Sequence, residues 1–320
     1  MRQFLPQITP YLHLGWRWPD GLRALRHRNF RLFFFGQLIS LTGTWMQATA
    51  QQWLVYRLTG SQVSLGVITF AGFLPVLVLS LFMGVLVDRL PRRPILLGTQ
   101  LWFLLLAAAL AALTFAGVVQ YWHIVLLALL FGVGNALDMP ARQAFHLDLV
   151  SRPDLMNAIA LNSSVFNGAR ILGPVLGGLL VARLGEAPAF GLNAISYLAV
   201  LGSLLMMNLP RADRSSAPAG GWQEFKDGLR YLAADRPVLG MVTMIALFSV
   251  FGFPYLILLP AYARTVLGLG AEGFGLLMAA TGVGALVSAV SLALTGDRRH
   301  KGRLLLTSRA MFSVALLGLG

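Results

Sequence analysis

Residues 84–94 read GVLVDRLPRRP, in which an aspartate and three arginines follow directly on a long apolar run. That run, residues 63–87, is longer than the roughly 20 residues that a helix needs to cross the hydrocarbon core of a membrane. Prolines and charged residues after such a run indicate a short turn at the membrane surface. The stretch therefore predicts a membrane-spanning helix that ends at a charged loop.

Composition extends this prediction to the whole chain. Of the 320 residues, 57% are hydrophobic and 12% are charged, whereas a soluble domain carries about 25% charged residues. Because so few charged groups cannot cover a water-facing surface, we expect an all-α protein that crosses a cytoplasmic (inner) membrane several times. The sequence has no cysteine, which excludes disulfides, thiolate catalysis and cysteine-bound metal. No metal site and no cofactor are expected.

Eight segments have the length and hydrophobicity of a spanning helix. They are residues 32–55, 63–87, 95–118, 122–145, 155–182, 188–208, 237–261 and 272–295. A ninth segment begins near Leu304 and is still running at Gly320. We therefore expect the chain to stop inside its ninth transmembrane helix.

These spans divide the chain into four parts. A basic cytoplasmic arm (1–31) precedes a six-helix transmembrane domain (32–208), and part of a second transmembrane domain of about three helices (237–320) ends the chain. The cytoplasmic linker 209–236 separates the two domains. Apolar residues in the linker recur at helical spacing, which indicates an amphipathic helix on the membrane surface. These residues are Trp222, Phe225, Leu229 and Leu232.

The basic residues lie almost entirely on one side of the predicted spans. With the N-terminus in the cytoplasm, all but four of the 25 Lys and Arg residues fall on the cytoplasmic side. The exceptions are Arg57, Arg183 and Arg264 on the other side, and Arg170 inside a span. Cytoplasmic loops carry an excess of Lys and Arg, so the N-terminus is expected in the cytoplasm. This asymmetry accounts for the net charge of +13 without a nucleic-acid partner.

An internal repeat supports the division into two domains. The pair Asp88-Arg89 reappears as Asp297-Arg298, a shift of 209 residues, and the same shift lays Gly66 on Gly275. Both copies of the charged pair follow the second predicted span of their domain. Parallel duplication of a helical unit is an architecture of membrane transporters.

The charged loop carries a family resemblance. Residues 84–93 resemble the loop signature of the major facilitator superfamily, glycine–x–leucine–x–aspartate–arginine–x–glycine–arginine–basic, with proline at 91 in place of the usual glycine. Residues 29–61, 138–145 and 169–178 are similar to the branch that contains the enterobactin exporter and macrolide-efflux proteins. This resemblance implies the major facilitator fold, with two pseudo-repeated six-helix bundles, of which the second is incomplete here.

In that family the loop latches the two halves together. The resemblance therefore implies a gating loop made of Gly84, Asp88, Arg89, Arg92 and Arg93, with Asp297 and Arg298 as its second copy. A plain positively charged turn on the cytoplasmic side is the alternative interpretation.

Polar residues mark one face of the first predicted span. They follow steps of three and four residues, which is the spacing of a helix face, and a polar face in the membrane is expected against protein or water. We expect it to line a substrate cavity, and hydrogen bonding between helices is the alternative. The residues are Gln37, Ser40, Thr44, Gln47 and Gln51.

The fifth predicted span repeats the polar pattern with Ser163, Asn167 and Arg170. An arginine near the middle of a span costs about 2.5–3.5 kcal/mol on insertion scales, so it needs a compensating environment. Arg170 would bind an anionic substrate, respond to a nearby carboxylate, or act as a static hydrogen-bonding centre. Aromatic side chains of the seventh span, Phe251 and Tyr255, are also candidates for the cavity wall.

Small residues follow Arg170 along the fifth span. They are Gly173, Pro174, Gly177 and Gly178, a pattern that permits close approach of a second helix and a bend. It resembles the fifth-helix antiporter signature of the family, and helix packing alone also explains it.

The fourth predicted span contains the one clear intramembrane carboxylate among the 12 acidic residues, Asp138, four residues before Arg142. If protons drive transport, Asp138 is the first coupling candidate. The alternative, which we favour, is an ion pair with Arg142 that fixes the helix end.

These features predict a secondary-active exporter of a siderophore, a drug or another small amphipathic molecule. It would work by alternating access in the lipid bilayer, and the family resemblance adds protons as coupling ions. A truncated, non-transporting fragment or regulatory remnant is the alternative. An integral-membrane enzyme is not favoured, because the five histidines are scattered and form no HExxH motif. The sequence also has no GxxxxGK[ST] phosphate loop for an ATP-driven pump.

Overall fold

The computed structural model describes residues 19–208, 221–295 and 301–318, and within these ranges it contains helices and no strand. The all-α prediction is therefore confirmed for the described part of the chain. The helices are α1 (Arg28–Thr59), α2 (Gln62–Arg89), α3 (Arg92–Phe115), α4 (Tyr121–Leu149), α5 (Leu155–Leu184), α6 (Ala187–Leu205), α7 (Gly221–Ala234), α8 (Arg236–Phe251), α9 (Pro254–Thr265), α10 (Ala271–Thr295) and α11 (Lys301–Leu317). Most of the basic arm, part of the linker, Asp297 and Arg298 lie outside the described residues.

Seven helical segments are long and apolar enough to cross a membrane, judged by length and composition among the described residues. They fall on α2, α3, α4, α5, α6, α8 together with α9, and α10. The first predicted span, α1, is not among them, although it has 32 residues. Its recurring polar residues lower its hydropathy, but at 1.5 Å per residue it extends about 48 Å. It also runs through the centre of the first bundle, packed against α5 and α6.

Helices α1 to α6 form one bundle in which consecutive helices run in opposite directions, so that α1 packs in parallel against α5, and α2 against α4. Helix α4 packs against α2 and α3, α3 also packs against α6, and α1 makes few contacts with α2 and α4. We call the end at which α1, α3 and α5 begin the basic end. There Arg92 Nη1 lies 2.8 Å from Asp148 Oδ1 at the end of α4. Arg93 Nη2 donates to the carbonyl of Leu205 at the end of α6, at 3.0 Å.

A short basic turn, Asp20–Arg26, fastens the start of α1 to the start of α5. The carboxylate of Asp154 is fully buried, and Arg23 Nε lies 2.6 Å from its Oδ1. Arg26 Nη2 and His27 Nε2 each lie 2.7 Å from its Oδ2. This cluster fixes the first residues of α1 on the loop between α4 and α5.

The bounds of the helices reproduce the internal repeat. The shift of 209 residues carries Gln62, the first residue of α2, onto Ala271, the first residue of α10. It also carries Arg92, where α3 begins, onto Lys301, where α11 begins. The predicted arrangement of a complete first bundle and part of a second one therefore agrees with the helix order.

The seventh predicted span is not one helix, which corrects the expectation for residues 237–261. Helix α8 ends at Phe251 and α9 begins at Pro254. Proline has no amide hydrogen and cannot continue the hydrogen-bond ladder. The amide of Phe253 instead donates to the carbonyl of Phe248, five residues earlier. Phe251, before the break, is exposed, whereas Tyr255, after it, is partly buried.

The small residues of α5 lie at two helix contacts. A Cβ atom on Gly178 would lie 2.7 Å from the carbonyl oxygen of Ala271 and 2.9 Å from Cα of Gly275, both on α10. One on Gly177 would lie 2.7 Å from the carbonyl oxygen of Met46 on α1. Gly173 approaches α1 in the same way, and the carbonyl of Pro174 lies against Gly275. These residues bring α5 close to α1 within the first bundle and to α10 of the second.

Candidate substrate site

A cavity of about 230 Å³ lies inside the first bundle, where α1 stands apart from α2 and α4. Its walls come from α1, α2, α3, α4 and α6. The polar lining residues are Thr44, Gln47, Gln51, Gln52, Thr69, Asn135 and Asn193, and the aromatic ones are Phe73, Phe103, Phe131 and Tyr197. The walls of the cavity thus contain both amides and aromatic rings.

The polar face of α1 divides between two surroundings. Thr44, Gln47 and Gln51 line the cavity, whereas Gln37 and Ser40 are buried nearer the basic end. Asn193 Nδ2 donates to Gln47 Oε1 at 2.7 Å, which fixes one amide of the wall. The hydroxyls of Thr44 and Tyr197 lie 3.3 Å apart. The sequence therefore predicted three lining residues of α1 and did not identify their partners on α6.

Between the cavity and the basic end lies a group of polar side chains that we call the buried ionic cluster. Asp138, only 3% exposed, is its centre. Oδ1 accepts from Thr99 Oγ1 at 2.7 Å and from Gln100 Nε2 at 2.8 Å. Oδ2 accepts from Arg142 Nε at 3.0 Å and from Arg142 Nη2 at 2.5 Å. A further Arg142 nitrogen, Nη1, donates to Gln37 Oε1, so the cluster joins α1, α3 and α4.

The polar residues of α5 do not line the cavity. Asn167 Nδ2 donates to the carbonyl of Ser163 at 2.8 Å, within the same helix. The guanidinium of Arg170 lies over the ring of Trp45, 5.8 Å from its centroid. Within the described ranges no carboxylate lies within salt-bridge distance of Arg170. Phe166 completes this surface, with its ring centroid 5.7 Å from that of Trp45.

Aromatic residues of the second half pack together beside another arginine. The rings of Tyr255 and Phe312 lie 5.6 Å apart, and those of Phe312 and Phe248 lie 5.2 Å apart. The guanidinium of Arg309 lies 5.5 Å from the ring of Phe248. We call Tyr255, Phe312, Phe248 and Arg309 the arginine–aromatic row. Phe251, which the sequence had suggested, is 76% exposed and belongs to neither site.

Arg309 and Phe312 were missed by the sequence analysis. Arg309 had been counted among the cytoplasmic charges, but it lies within α11 and donates from Nη1 to the carbonyl of Met244 on α8 at 2.7 Å. A single arginine in an apolar run is the same signal that identified Arg170. That signal could have identified Arg309 as well.

The loop after α2 is attached to its own bundle. Arg92 and Arg93 contact α4 and α6, as described above, whereas Asp88 and Arg89 are exposed. A Cβ atom on Gly84 would meet nothing within 4 Å. The second copy of the loop, Asp297 and Arg298, lies outside the described residues, so the latch stays a prediction.

A bundle of membrane-length helices that encloses a cavity and is followed by helices that begin at the repeat positions of α2 and α3 is the architecture of a membrane transporter of the major facilitator fold. The whole stretch from residue 20 to residue 320 matches the family described as transmembrane secretion effector, and the chain belongs to this family. The predicted superfamily is confirmed, as is the branch with the enterobactin exporter, which is among the relatives given next.

The chain is 24% identical to the staphyloferrin A transporter of Staphylococcus aureus over 289 residues, which are 90% of this chain and 72% of the relative. It is 28% identical to the enterobactin exporter EntS of Shigella flexneri over 319 residues, with 94% and 72% covered. It thus spans about 72% of the length of these two relatives.

The fold is similar to the inward-facing, unoccupied crystal structure of a bacterial homologue of the human lysosomal transporter Spinster. The TM-score is 0.64 at 14% identity, with 80% of this chain and 60% of that chain covered. At this level of identity the similarity shows the fold alone, and the fold is the one that the sequence predicted.

Proposed function

We propose that the chain forms the substrate-binding part of a secondary-active exporter for a small amphipathic molecule. The observation that carries this proposal is the cavity lined by α1, α2, α3, α4 and α6, with amides and aromatic rings in its walls, inside a bundle of membrane-length helices. Sites of this composition bind ligands that combine apolar surface with a few polar groups. The relatives named as transporters of enterobactin and staphyloferrin A favour a siderophore or a molecule of similar character.

The proposed orientation places the N-terminus and the basic end in the cytoplasm. Arg23, Arg26, Arg92 and Arg93 all lie at this end of the bundle. The excess of basic residues in cytoplasmic loops supports this orientation.

Alternating access requires two halves that move against each other. The close contact of α5 with α10, through Gly178 and Gly275, would act as a pivot for this motion. It consists of small residues, so few side chains of the two helices interlock there. The loop after α2 would act as the latch. Its arginines hold it rigidly on α4 and α6, and Asp88 remains exposed for a partner in the second half.

Of the two interpretations of Asp138, proton coupling is less favoured than a fixed ion pair with Arg142. The carboxylate accepts four hydrogen bonds, which favours a fixed ion pair over a group that gains and loses a proton. The variant Asp138→Asn tests this. Retained export against a concentration gradient would exclude Asp138 as the coupling carboxylate, and export that only runs down the gradient would assign it that role.

The test of transport is efflux from cells that lack their main drug exporters. The native protein should lower the accumulation of at least one member of a panel of siderophores, macrolides and amphipathic dyes. Gln47→Leu removes an amide of the cavity wall and should weaken efflux about tenfold, as expected for one lost buried hydrogen bond. Gln62→Leu, the same change at an exposed position at the start of α2, is the matched control. If no compound is exported, the alternative of a non-transporting fragment holds instead.

A further inference from the structure

Three aromatic rings form one continuous part of the cavity wall in the first bundle. The ring centroids of Phe103 and Phe131 lie 4.7 Å apart, and those of Phe103 and Tyr197 lie 5.9 Å apart. Phe103 and Tyr197 are each only 3% exposed, so the packing of α3 and α6 holds both rings in place. Aromatic rings attract each other at centroid distances of about 4.5–7 Å. The wall therefore offers a preformed surface against which the ring of a ligand can pack.

Two oxygen atoms of other lining residues are available as hydrogen-bond acceptors. Thr69 Oγ1 donates its hydrogen to the carbonyl of Leu65 at 2.9 Å, so this oxygen can only accept a further bond. Gln52 Oε1 is buried and has no hydrogen-bond partner among the residues that the structure describes. A buried acceptor without a partner is costly. A hydroxyl or an N–H group of a ligand would satisfy these oxygens.

The wall also restricts the charge of a ligand. The described residues that line the cavity carry amide, hydroxyl, aromatic and aliphatic groups, and none of them is charged at neutral pH. Asp138 lies one turn of α4 beyond the lining residue Asn135, and its carboxylate is already paired with Arg142 Nη2 at 2.5 Å. An ion in the cavity would therefore be buried without a counter-ion, which is costly. The cavity favours an uncharged ligand.

The volume of the cavity restricts the size of the ligand. At about 230 Å³ it is smaller than the roughly 300–1,000 Å³ that sites for drug-sized molecules occupy. A compound with a single ring system fits such a volume, and a larger molecule would insert only one of its parts.

We propose that the cavity binds an uncharged aromatic group that carries a hydrogen-bond donor, as an aromatic alcohol does. The ring packs against Phe103 and Phe131, and the donor bonds to Thr69 Oγ1 or Gln52 Oε1. This inference rests on the proposed function, since it names the substrate class of the exporter. A weak acid or a weak base enters the cavity in its neutral form.

Four naphthalene compounds with closely similar substituents test the inference. 1-Naphthalenemethanol is uncharged and carries a hydroxyl donor, and its methyl ether lacks the donor. At pH 8, 1-naphthoate is an anion and 1-naphthylmethylamine is mainly a cation. The purified native protein in lipid nanodiscs is titrated with each compound in a calorimeter, and the heat from empty nanodiscs is subtracted. The alcohol should bind about tenfold or more tightly than the ether, which lacks one buried hydrogen bond, and than either ion.

A charge placed in the wall should reverse the preference. Gln47→Glu adds a carboxylate and keeps the oxygen that accepts from Asn193 Nδ2. It should raise the affinity for the naphthylmethylammonium ion relative to the alcohol by about tenfold or more, because a charge-assisted contact becomes possible. Gln62→Glu, the same change at an exposed position at the start of α2, is the matched control and should change neither affinity. An unchanged preference in folded Gln47→Glu would overturn the inference, and the titrations of the native protein decide it if that variant does not fold.

A lipid chain is the other uncharged group that can fill the cavity. Decan-1-ol has the hydroxyl and an apolar chain but no ring, and it should bind more weakly than 1-naphthalenemethanol. Tighter binding of decan-1-ol would assign the cavity to a lipid chain and overturn the inference. An alcohol that does not bind, or that binds no better than either ion, would also overturn it. Efflux of a panel compound alongside such a result overturns this inference alone, whereas absence of efflux across the panel overturns the proposed function.

Discussion

Two arginines within membrane-spanning helices meet opposite surroundings. Arg142 on α4 lies in the buried ionic cluster, where it contacts Asp138 and Gln37. Arg170 on α5 lies over the ring of Trp45 and has no ion-pair partner among the described residues. Insertion scales assign both a similar cost, about 2.5–3.5 kcal/mol. At Arg142, the ion pair with Asp138 and the hydrogen bond to Gln37 offset that cost. At Arg170, the contact with the ring of Trp45 offsets a smaller part of it.

This difference in pairing indicates which arginine stabilises the bundle. A charge that the protein neutralises itself ties helices together, and Arg142 joins α4 to α1 and, through Asp138, to α3. A charge that the protein leaves unpaired is available to a ligand. Arg142 therefore holds the bundle together, whereas Arg170 adds no ion pair to it among the described residues.

The largest effect on stability is expected from removing the carboxylate that pairs with Arg142. Asp138→Leu would leave Arg142 buried without its counter-ion, and such a change costs about 3–5 kcal/mol. The midpoint of thermal unfolding in detergent should fall strongly. The double variant Asp138→Leu with Arg142→Leu should recover much of the loss, because no uncompensated charge remains.

Asp88→Leu is the matched control for stability, since Asp88 is exposed at the end of α2. Its unfolding midpoint should stay near that of the native protein. An equal fall in both aspartate variants would contradict the account of the buried ionic cluster.

The next effect concerns the helix that carries Arg170. Gly178→Ala introduces a Cβ atom 2.7 Å from the carbonyl oxygen of Ala271, and overpacking of this kind costs about 1–3 kcal/mol. We expect a lower unfolding midpoint and slower efflux, because α5 and α10 must separate. Gly168→Ala, on the same helix with nothing within 4 Å of the new atom, should be neutral or slightly stabilising. Equal behaviour of the two variants would rule out the close contact.

A smaller effect is expected from a third arginine, which is paired but only half buried. Arg57 Nε lies 2.7 Å from Glu186 Oε1 at the end of the bundle opposite the basic end. Because the Arg57 side chain is 48% exposed, Arg57→Gln should cost less than about 1 kcal/mol. The loss should shrink further in 1 M salt. A loss as large as that of Asp138→Leu would show that pairing matters irrespective of burial.

The positions of the helices were predictable because the thickness of the membrane fixes how long an apolar run must be. The repeat was predictable because an Asp-Arg pair follows the second predicted span of each half, at Asp88-Arg89 and at Asp297-Arg298. The seventh predicted span is interrupted before Pro254, and this proline was visible in the sequence. The end of α8 at Phe251 could not be predicted, because the run on either side is uniformly apolar.

The candidate site was predictable only in part. Helical spacing places Gln37 and Gln47 on one face of α1, but it cannot tell which neighbour that face meets at each height. Gln37 meets Arg142 of α4, and Gln47 meets Asn193 of α6. Such partners lie more than 100 positions away in the chain, so only the tertiary arrangement reveals them. The contacts of Phe312 with Tyr255 and Phe248 were missed for the same reason.

The most direct test of the comparison measures the free energy of unfolding of Arg142→Gln and Arg170→Gln. We predict that Arg142→Gln lowers this free energy clearly, because Asp138 loses its counter-ion. Arg170→Gln should leave it within about 1 kcal/mol of the native value, since no ion pair is lost. A loss of stability in Arg170→Gln equal to that in Arg142→Gln would contradict the account.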